Sequence, residues 1–425
     1  MKFNENFLHF IWQHKLFESR YLQCTDGSTL VIKNVGKYTQ LSGPDFSEAH
    51  IYIAHQLWVG SVEIHKQSSE WYDHQHHLDS AYNNVILHVV WEDNQIIYDQ
   101  NNRAINTLCL KPYVSKILLD RYQQLMADKS WIYCENQLKD LPEIVKVNTF
   151  ESVFIERLSE KIKPFETSLN SSKGDWEKVL FQYLMKAFGL NINGESFFEI
   201  SNQINFDWIK KERHQISHLE ALFYGQTQIL NQNHEDQYFK TLKRTHEFLK
   251  GKYQCNRHLV NVHFYKLRPD NFPTIRLAQL AQLYHQAQHV FESLIKTDLN
   301  ATKNILKTIH VSDYWQTHYV FDKVVSKRKH HLSDAFIELL LINVILPMKF
   351  FYFQNQCKDL SDEIISDYAT LKKEKNSIID KFDHHGLPAE NALESQALVH
   401  LKKHYCEKRQ CLHCVIGKHL MGKAP

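Results

Sequence analysis

Apolar residues fall at Phe3, Phe7, Leu8, Ile11 and Trp12, the spacing of one helical face, and predict a helix over 3–17. Gly27 marks a turn, and 29–35 reads as a strand. Gly43-Pro44 breaks the chain. Residues 46–53 then alternate apolar and polar side chains, and 57–64 continue in the same way around Gly60, so both read as strands. The stretch 68–83 is polar and histidine-rich, with Trp71, Leu78 and Tyr82 on a helical face. Residues 85–91 form an almost unbroken apolar run rich in β-branched side chains, the pattern of a strand buried on both faces. Segments 96–98 and 105–110 predict a closing hairpin. The expected order is α-β-β-β-α-β plus that hairpin.

From about residue 113 the period changes to that of helices, at 176–188, 219–230, 236–249, 275–294, 335–353 and 359–373, with Pro142 and Pro164 as punctuation. No internal repeat or low-complexity linker interrupts the chain. The fold class expected is α+β: an α/β core over 1–112, a mostly α-helical region over 113–399, and a basic, cysteine-bearing tail over 400–425. A chain of 425 residues is long for one domain. Its 12 glycines and 9 prolines are too few for a loop-rich all-β fold. The longest apolar stretch, 335–353, is broken by Glu338, Asn343 and Lys349 and reads as a core helix, not a membrane span. Residues 1–20 carry acids and histidines and lack a small-residue cleavage site, which does not read as a signal peptide. The expectation is a cytoplasmic protein without membrane contact. A net charge of +2 gives no strong global field, so a nucleic-acid partner would require a local basic face.

The densest chemistry is Gly43-Pro44-Asp45-Phe46 followed by Gly60-Ser61-Val62-Glu63-Ile64-His65. Asp45 sits at the mouth of one predicted strand. Glu63 and His65 lie two apart on the next and share a face. If the strands form a hairpin, Asp45 and Glu63 converge, and with the carbonyl of Ile64 they offer oxygen ligands for Mg2+ or Mn2+. His65 is then placed to orient or deprotonate an attacking water.

This element order, with Pro44-Asp45 and then Glu63, resembles the PD-(D/E)XK nuclease superfamily, a restriction-endonuclease-like αβββαβ core. The resemblance implies that Asp45 and Glu63 bind metal and that Glu5, on the first helix, supplies the further acid often found there. The superfamily's lysine position holds His65, a departure. In RecB-like nucleases the helix after the catalytic strand touches the metal site or DNA, a role the resemblance passes to His76, Asp79 and Tyr82. On residue types alone, His74, His77 and Asp79 offer a separate zinc site, while His88 reads as a core histidine.

Cys406, Cys411 and Cys414 form C-x4-C-x2-C, one ligand short of a closed site, and Cys134, His404 or His413 are candidates for the fourth. Zinc or an iron–sulfur cluster is the cofactor expected. Some superfamily nucleases carry such a cluster on one distant and three C-terminal cysteines, although here Cys134 follows the nuclease-like core. Cys24, Cys109, Cys255 and Cys357 have no partner spacing and read as structural. Arg268 and Arg276 flank Pro273, which suits the first turn of a helix capped by Asp270 or Asn271. They either meet phosphate at the helix N-terminus or pair with acids such as Glu220 or Glu247.

End to end, the chain resembles an uncharacterised bacterial domain-of-unknown-function family, DUF2851. The resemblance rests on Gly43-Pro44-Asp45-Phe46, the run from Trp58 to His65, His88-Val89-Val90-Trp91, the run from Arg268 to Pro273, and Cys411-Leu412-His413-Cys414-Val415-Ile416-Gly417. It brings no activity. The functional expectation is a metal-dependent nuclease hydrolysing phosphodiesters in DNA or RNA. Its rivals are a non-catalytic nucleic-acid-binding or assembly protein with the same fold, and a zinc-dependent hydrolase.

Overall fold

The computed structural model describes residues 3, 5–39, 43–127, 130–254 and 259–422; Cys255 lies outside them. The chain divides into two compact units. The first comprises 1–149, 381–387 and 399–425; the second comprises 150–380 and 388–398. The 400–425 segment is therefore part of the α/β unit and not a separate tail.

In the first unit, helix α1 (Glu5–Gln13) buries Phe7, Leu8, Phe10, Ile11 and Trp12. It covers a sheet of β1 (Leu22–Gln23), β2 (Thr29–Asn34), β3 (Lys37–Tyr38), β4 (Phe46–Ile53), β5 (Gln56–Gln67), β6 (Val85–Glu92) and β7 (Thr107–Cys109). The strand order is β1-β2-β4-β5-β6-β7, with β3 also on β4. β2, β4 and β5 are antiparallel, whereas β6 runs parallel to β5 and β7 parallel to β6. The predicted closing hairpin is replaced by this parallel β7 and an isolated antiparallel bridge between Tyr98 and Ala104.

The parallel pairing sets two faces. Val62, Ile64, Leu87 and Val89 join α1 in the larger core. Glu63 pairs with His88, so Glu63, His65 and His88 share the other face, beside a smaller cluster of Trp71, Val85, Ile97 and Ile105. The Ser68 hydroxyl ties the end of β5 to the end of β6: it donates to Asn94 Oδ1 (3.0 Å) and accepts from the N–H groups of Asn94 and Gln95.

The stretch 68–83 is not one helix. Helix α2 (Glu70–Asp73) is followed by 3-10 turns at His76–Leu78 and Ser80–Tyr82. Gln75 adopts the left-handed conformation at φ 61°, and Asp79 is extended. The single helical face expected here, Trp71 with Leu78 and Tyr82, does not form.

The second unit is helical. Helix Trp176–Phe188 matches its predicted span. The 219–230 pattern splits into Ile216–Gly225 and a 3-10 turn at Gln228–Asn231, and the 275–294 pattern splits into Pro273–Gln286 and Val290–Ile295. Pro164 lies inside helix Glu143–Ser171 and does not end it. The segment Asp334–Asn355 is long and apolar enough to cross a membrane by length and composition, and 72% of its apolar window is buried within the fold.

Candidate functional site

A β-bulge creates the site. β4 and β5 pair in one register from Ile53↔Gln56 to Ala49↔Gly60, and the register then shifts before Phe46↔Val62. The extra residue is accommodated at Glu48, whose φ is 56°. The shifted register sets Asp45 opposite Glu63; without it Asp45 would oppose Ile64, whose side chain points to the other face. Each carboxylate is fixed by the other strand's backbone. The Asp45 N–H donates to Glu63 Oε2 (3.0 Å), and the Ile64 N–H donates to Asp45 Oδ2 (2.9 Å). The convergence expected from the sequence is present.

Glu63 is 5% exposed, and its pKa is pushed up to about 9 by burial and by the facing charge of Asp45. Asp45 and Glu5 keep the site open to solvent, with side chains 19% and 34% exposed. Glu5 is also held above the usual carboxylate range, by burial and by Asp45 against the pull of His9. His9, one turn along α1 from Glu5, places Nε2 3.2 Å from Asp45 Oδ2 and 3.8 Å from Glu5 Oε1. Burial lowers its pKa, but Asp45, Glu5 and Glu63 outweigh that and hold it above the ordinary value. The pattern-based reading missed His9, although the Glu5-x3-His9 spacing on a helix with an apolar opposite face was a usable signal.

Four imidazoles line the far side of Glu63. His65 Nδ1 is 2.8 Å from His88 Nε2, and His65 Nε2 is 3.2 Å from His74 Nδ1. Glu63 Oε1 lies 3.6 Å from His65 Nε2 and 3.3 Å from His76 Nε2. Donor atoms of His65, His74 and His76 all fall within 4.8 Å of one another. On a regular helix, side chains two apart diverge; the left-handed kink at Gln75 turns His74 and His76 toward one point. The zinc set His74, His77 and Asp79 is not assembled. His77 packs against Tyr72, and Asp79 accepts from the Ala81 N–H at 2.9 Å.

His65 differs from its expected role. Burial and the neighbouring His88, His76 and His74 push its pKa down to about 2, so it remains neutral and is a weak base. His88 is pushed down to about 3, mainly by burial. Neutral imidazoles suit metal ligation and hydrogen-bond relay better than proton abstraction. His76 is buried beneath Tyr82, the rings stacked at 3.8 Å, and so belongs to the cluster and not to a nucleic-acid surface.

Arg276 is 6% exposed, bonded to Gln279 Oε1 (2.9 Å) and Asn271 Oδ1 (2.6 Å), with its guanidinium 3.6 Å from the Phe336 ring centroid. It serves the helical packing, unlike the expected phosphate contact, and neither Glu220 nor Glu247 is its partner. Asn271 is thereby taken from the capping role, and Asp270 binds His330 Nδ1 at 3.0 Å instead. Arg276→Ala should accordingly cost roughly 1–3 kcal/mol of stability, read by chemical denaturation. Arg268 is exposed.

Cys134, Cys406, Cys411 and Cys414 line one cavity. His413 instead lies against the Tyr38 ring, and the His404 ring stacks on His400. Cys24 is buried, Cys109 Sγ contacts the Trp91 carbonyl at 3.1 Å, and Cys357 is exposed.

Fold and site define an α+β protein in which a mixed sheet carries a carboxylate–histidine cluster, joined to a helical unit. The chain belongs to the family described as "Protein of unknown function (DUF2851)", whose model matches residues 5–377. No curated protein and no solved structure matches it.

Proposed function

We propose that this protein is a metal-dependent nuclease-like hydrolase of phosphodiester bonds, with Asp45 and Glu63 holding Mg2+ or Mn2+. The observation that carries this reading is the bulge-shifted register that sets two carboxylates face to face at a solvent-open edge. Helix α1, the antiparallel strands β2, β4 and β5, and the parallel crossover from β5 to β6 support the likeness to the PD-(D/E)XK core.

The donor set fits a cation. Two acids and the nearby Glu5 offer oxygen donors, His9 is the basic group beside them, and His76 Nε2 lies 3.3 Å from Glu63 Oε1. A hard divalent ion bound there lowers the pKa of water and polarises a phosphodiester. The chain's own residues do the rest. Asp45 and Glu63 are held rigid by backbone N–H groups. His9 fixes Asp45. The His88–His65–His74 hydrogen-bond chain runs from the core to exposed His74 and offers a proton path to solvent. Arg268 is the candidate phosphate contact on the second unit, and Tyr82 and Asp79 border the histidine cluster.

A second reading is favoured by one observation, the close approach of His65, His74 and His76 beside Glu63. Imidazole with one carboxylate suits zinc, and the site would then be that of a zinc-dependent hydrolase.

The test is cleavage of plasmid DNA, single-stranded DNA and RNA with Mg2+, Mn2+ or Zn2+. Wild type should cut with Mg2+ or Mn2+, and Asp45→Ala and Glu63→Ala should each lose more than the roughly 10–100-fold that removing even an outer partner of a metal costs. Equal rates in wild type and both variants would overturn the site. Activity with Zn2+ alone selects the second reading. Binding without cleavage under every ion selects a non-catalytic nucleic-acid-binding protein.

A further inference from the structure

Three cysteines of the C-terminal segment and one from residue 134 meet in the first unit. Cys134, Cys406, Cys411 and Cys414 surround a cavity of about 10 Å3, completed by Ile132, Tyr133, Tyr405 and Gly417. None of the four is in a disulfide. A small cavity walled by four thiols has little value as packing, since apolar side chains would fill it better.

The backbone is shaped to aim these thiols. Cys411 and Cys414 flank a tight turn in which the Cys414 N–H donates to the carbonyls of Gln410 and Cys411, both at 3.2 Å. The next helix, Val415–Gly422, brings Gly417 against that turn, where a Cβ would lie 1.9 Å from the Cys411 carbonyl oxygen. Only glycine allows this approach, and both Cys411 and Cys414 line the cavity. Two cations stand nearby, Lys402 being paired with Glu407 at 3.4 Å. Lys402 lies 5.4 Å from the Trp131 ring and Arg409 5.9 Å from the Tyr133 ring, bracketing the segment that carries Cys134. Four thiolates around a divalent ion, or around a cluster of iron and sulfide, carry net negative charge, which these cations offset.

We propose that Cys134, Cys406, Cys411 and Cys414 form a four-thiolate centre for a thiophilic metal, either one zinc ion or an iron–sulfur cluster. Binding displaces the thiol protons with no change of oxidation state in the protein. The centre staples the C-terminal segment to the α/β unit, where Leu412 and Met421 join the core. It also fixes His413, between two of the ligands, against Tyr38 at 6.4 Å between centroids, and the Tyr38 hydroxyl is 3.3 Å from His9 Nδ1. The metal centre thereby braces one wall of the carboxylate site without depending on the proposed hydrolysis.

The experiment is elemental analysis and visible spectroscopy of the full chain purified without oxygen. Zinc at one per chain, or iron with matching acid-labile sulfide and an absorption bleached by dithionite, supports the centre and tells the two apart. Cys134→Ser and Cys414→Ser should lose the bound metal, while Cys357→Ser and Asp45→Ala keep it. Should the serine variants fail to fold, wild type decides: removing the metal with a chelator must expose four further thiols to a mercurial reagent. Metal retained in the serine variants overturns the proposal. So does a wild-type chain that holds no metal as purified and takes up none on reconstitution with Zn2+ or with iron and sulfide. The readout is metal content, so failure of the hydrolase reading would leave it unaffected.

Discussion

Replacing Glu63 with Gln should raise the thermal stability of the metal-free protein at about pH 8 and abolish most of its stabilisation by Mn2+. The folded carboxyl is pushed up to about 9, against an ordinary value of 4.5. Between those values the folded chain keeps a proton that the unfolded chain releases, so stability falls as pH rises through this window. Glutamine carries no such proton and removes that slope. Metal binding requires the ionised carboxylate, so Mn2+ affinity of the wild type should increase with pH over the same range. At a metal concentration about 100 times its dissociation constant, binding adds about 2.7 kcal/mol, or roughly 5–10 °C for a unit of this size. The variant should show almost none of that shift. The acid side provides an internal control. His65 and His88 are pushed down to about 2 and about 3, below the ordinary value of 6.5. Their contribution is intact above about pH 6.5 and is lost as pH falls through those lower values, in wild type and variant alike. Melting curves between about pH 5 and 9, with and without Mn2+, check all three features. An alkaline slope unchanged in the variant, or equal Mn2+ stabilisation of both proteins, would show that Glu63 is not the buried acid of a metal site.

What could be read from the sequence follows a physical divide. Periodicity reports burial, so β4, β6 and helix Trp176–Phe188 emerged at or near their true bounds. Asp45, Glu63 and His65 stood out because carboxylates and imidazole flank apolar strand positions, and the cysteine spacing left a fourth partner open among Cys134, His404 and His413. Local conformations that break periodicity stayed hidden. The bulge at Glu48 decides which residue Asp45 faces, yet Glu48 looks like any exposed strand residue. Gln75 in the left-handed region gathers His74 and His76, and glutamine gives no warning of it. Arg276 illustrates a different limit. A basic residue near a helix start suits phosphate, and only the packing of Phe336, Asn271 and Gln279 around it shows an interior role.

Gly60→Ala should be among the most damaging single-methyl changes in the first unit. A Cβ at Gly60 would lie 2.5 Å from Ile86 Cγ2 and 2.6 Å from the Asn84 carbonyl oxygen. That oxygen cannot simply yield, because it accepts the Ser61 N–H at 2.8 Å where β5 begins to pair with β6. Gly60 is also the last residue of β5 in register with β4 before the bulge, opposite Ala49. Pushing β5 away at this point strains the segment that sets Asp45 against Glu63. The cost expected of such overpacking is roughly 1–3 kcal/mol, seen as a melting temperature lower by several degrees, and Mn2+ affinity should fall with it. Gly251→Ala supplies the contrast: it lies within helix Gln237–Tyr253 with nothing within 4 Å of its added Cβ. Alanine there should stabilise by about 0.5–1 kcal/mol through helix propensity. Gly60→Ala matching wild type in both melting temperature and metal affinity would mean that β5 can slide without cost, and that the register does not hold the two carboxylates together.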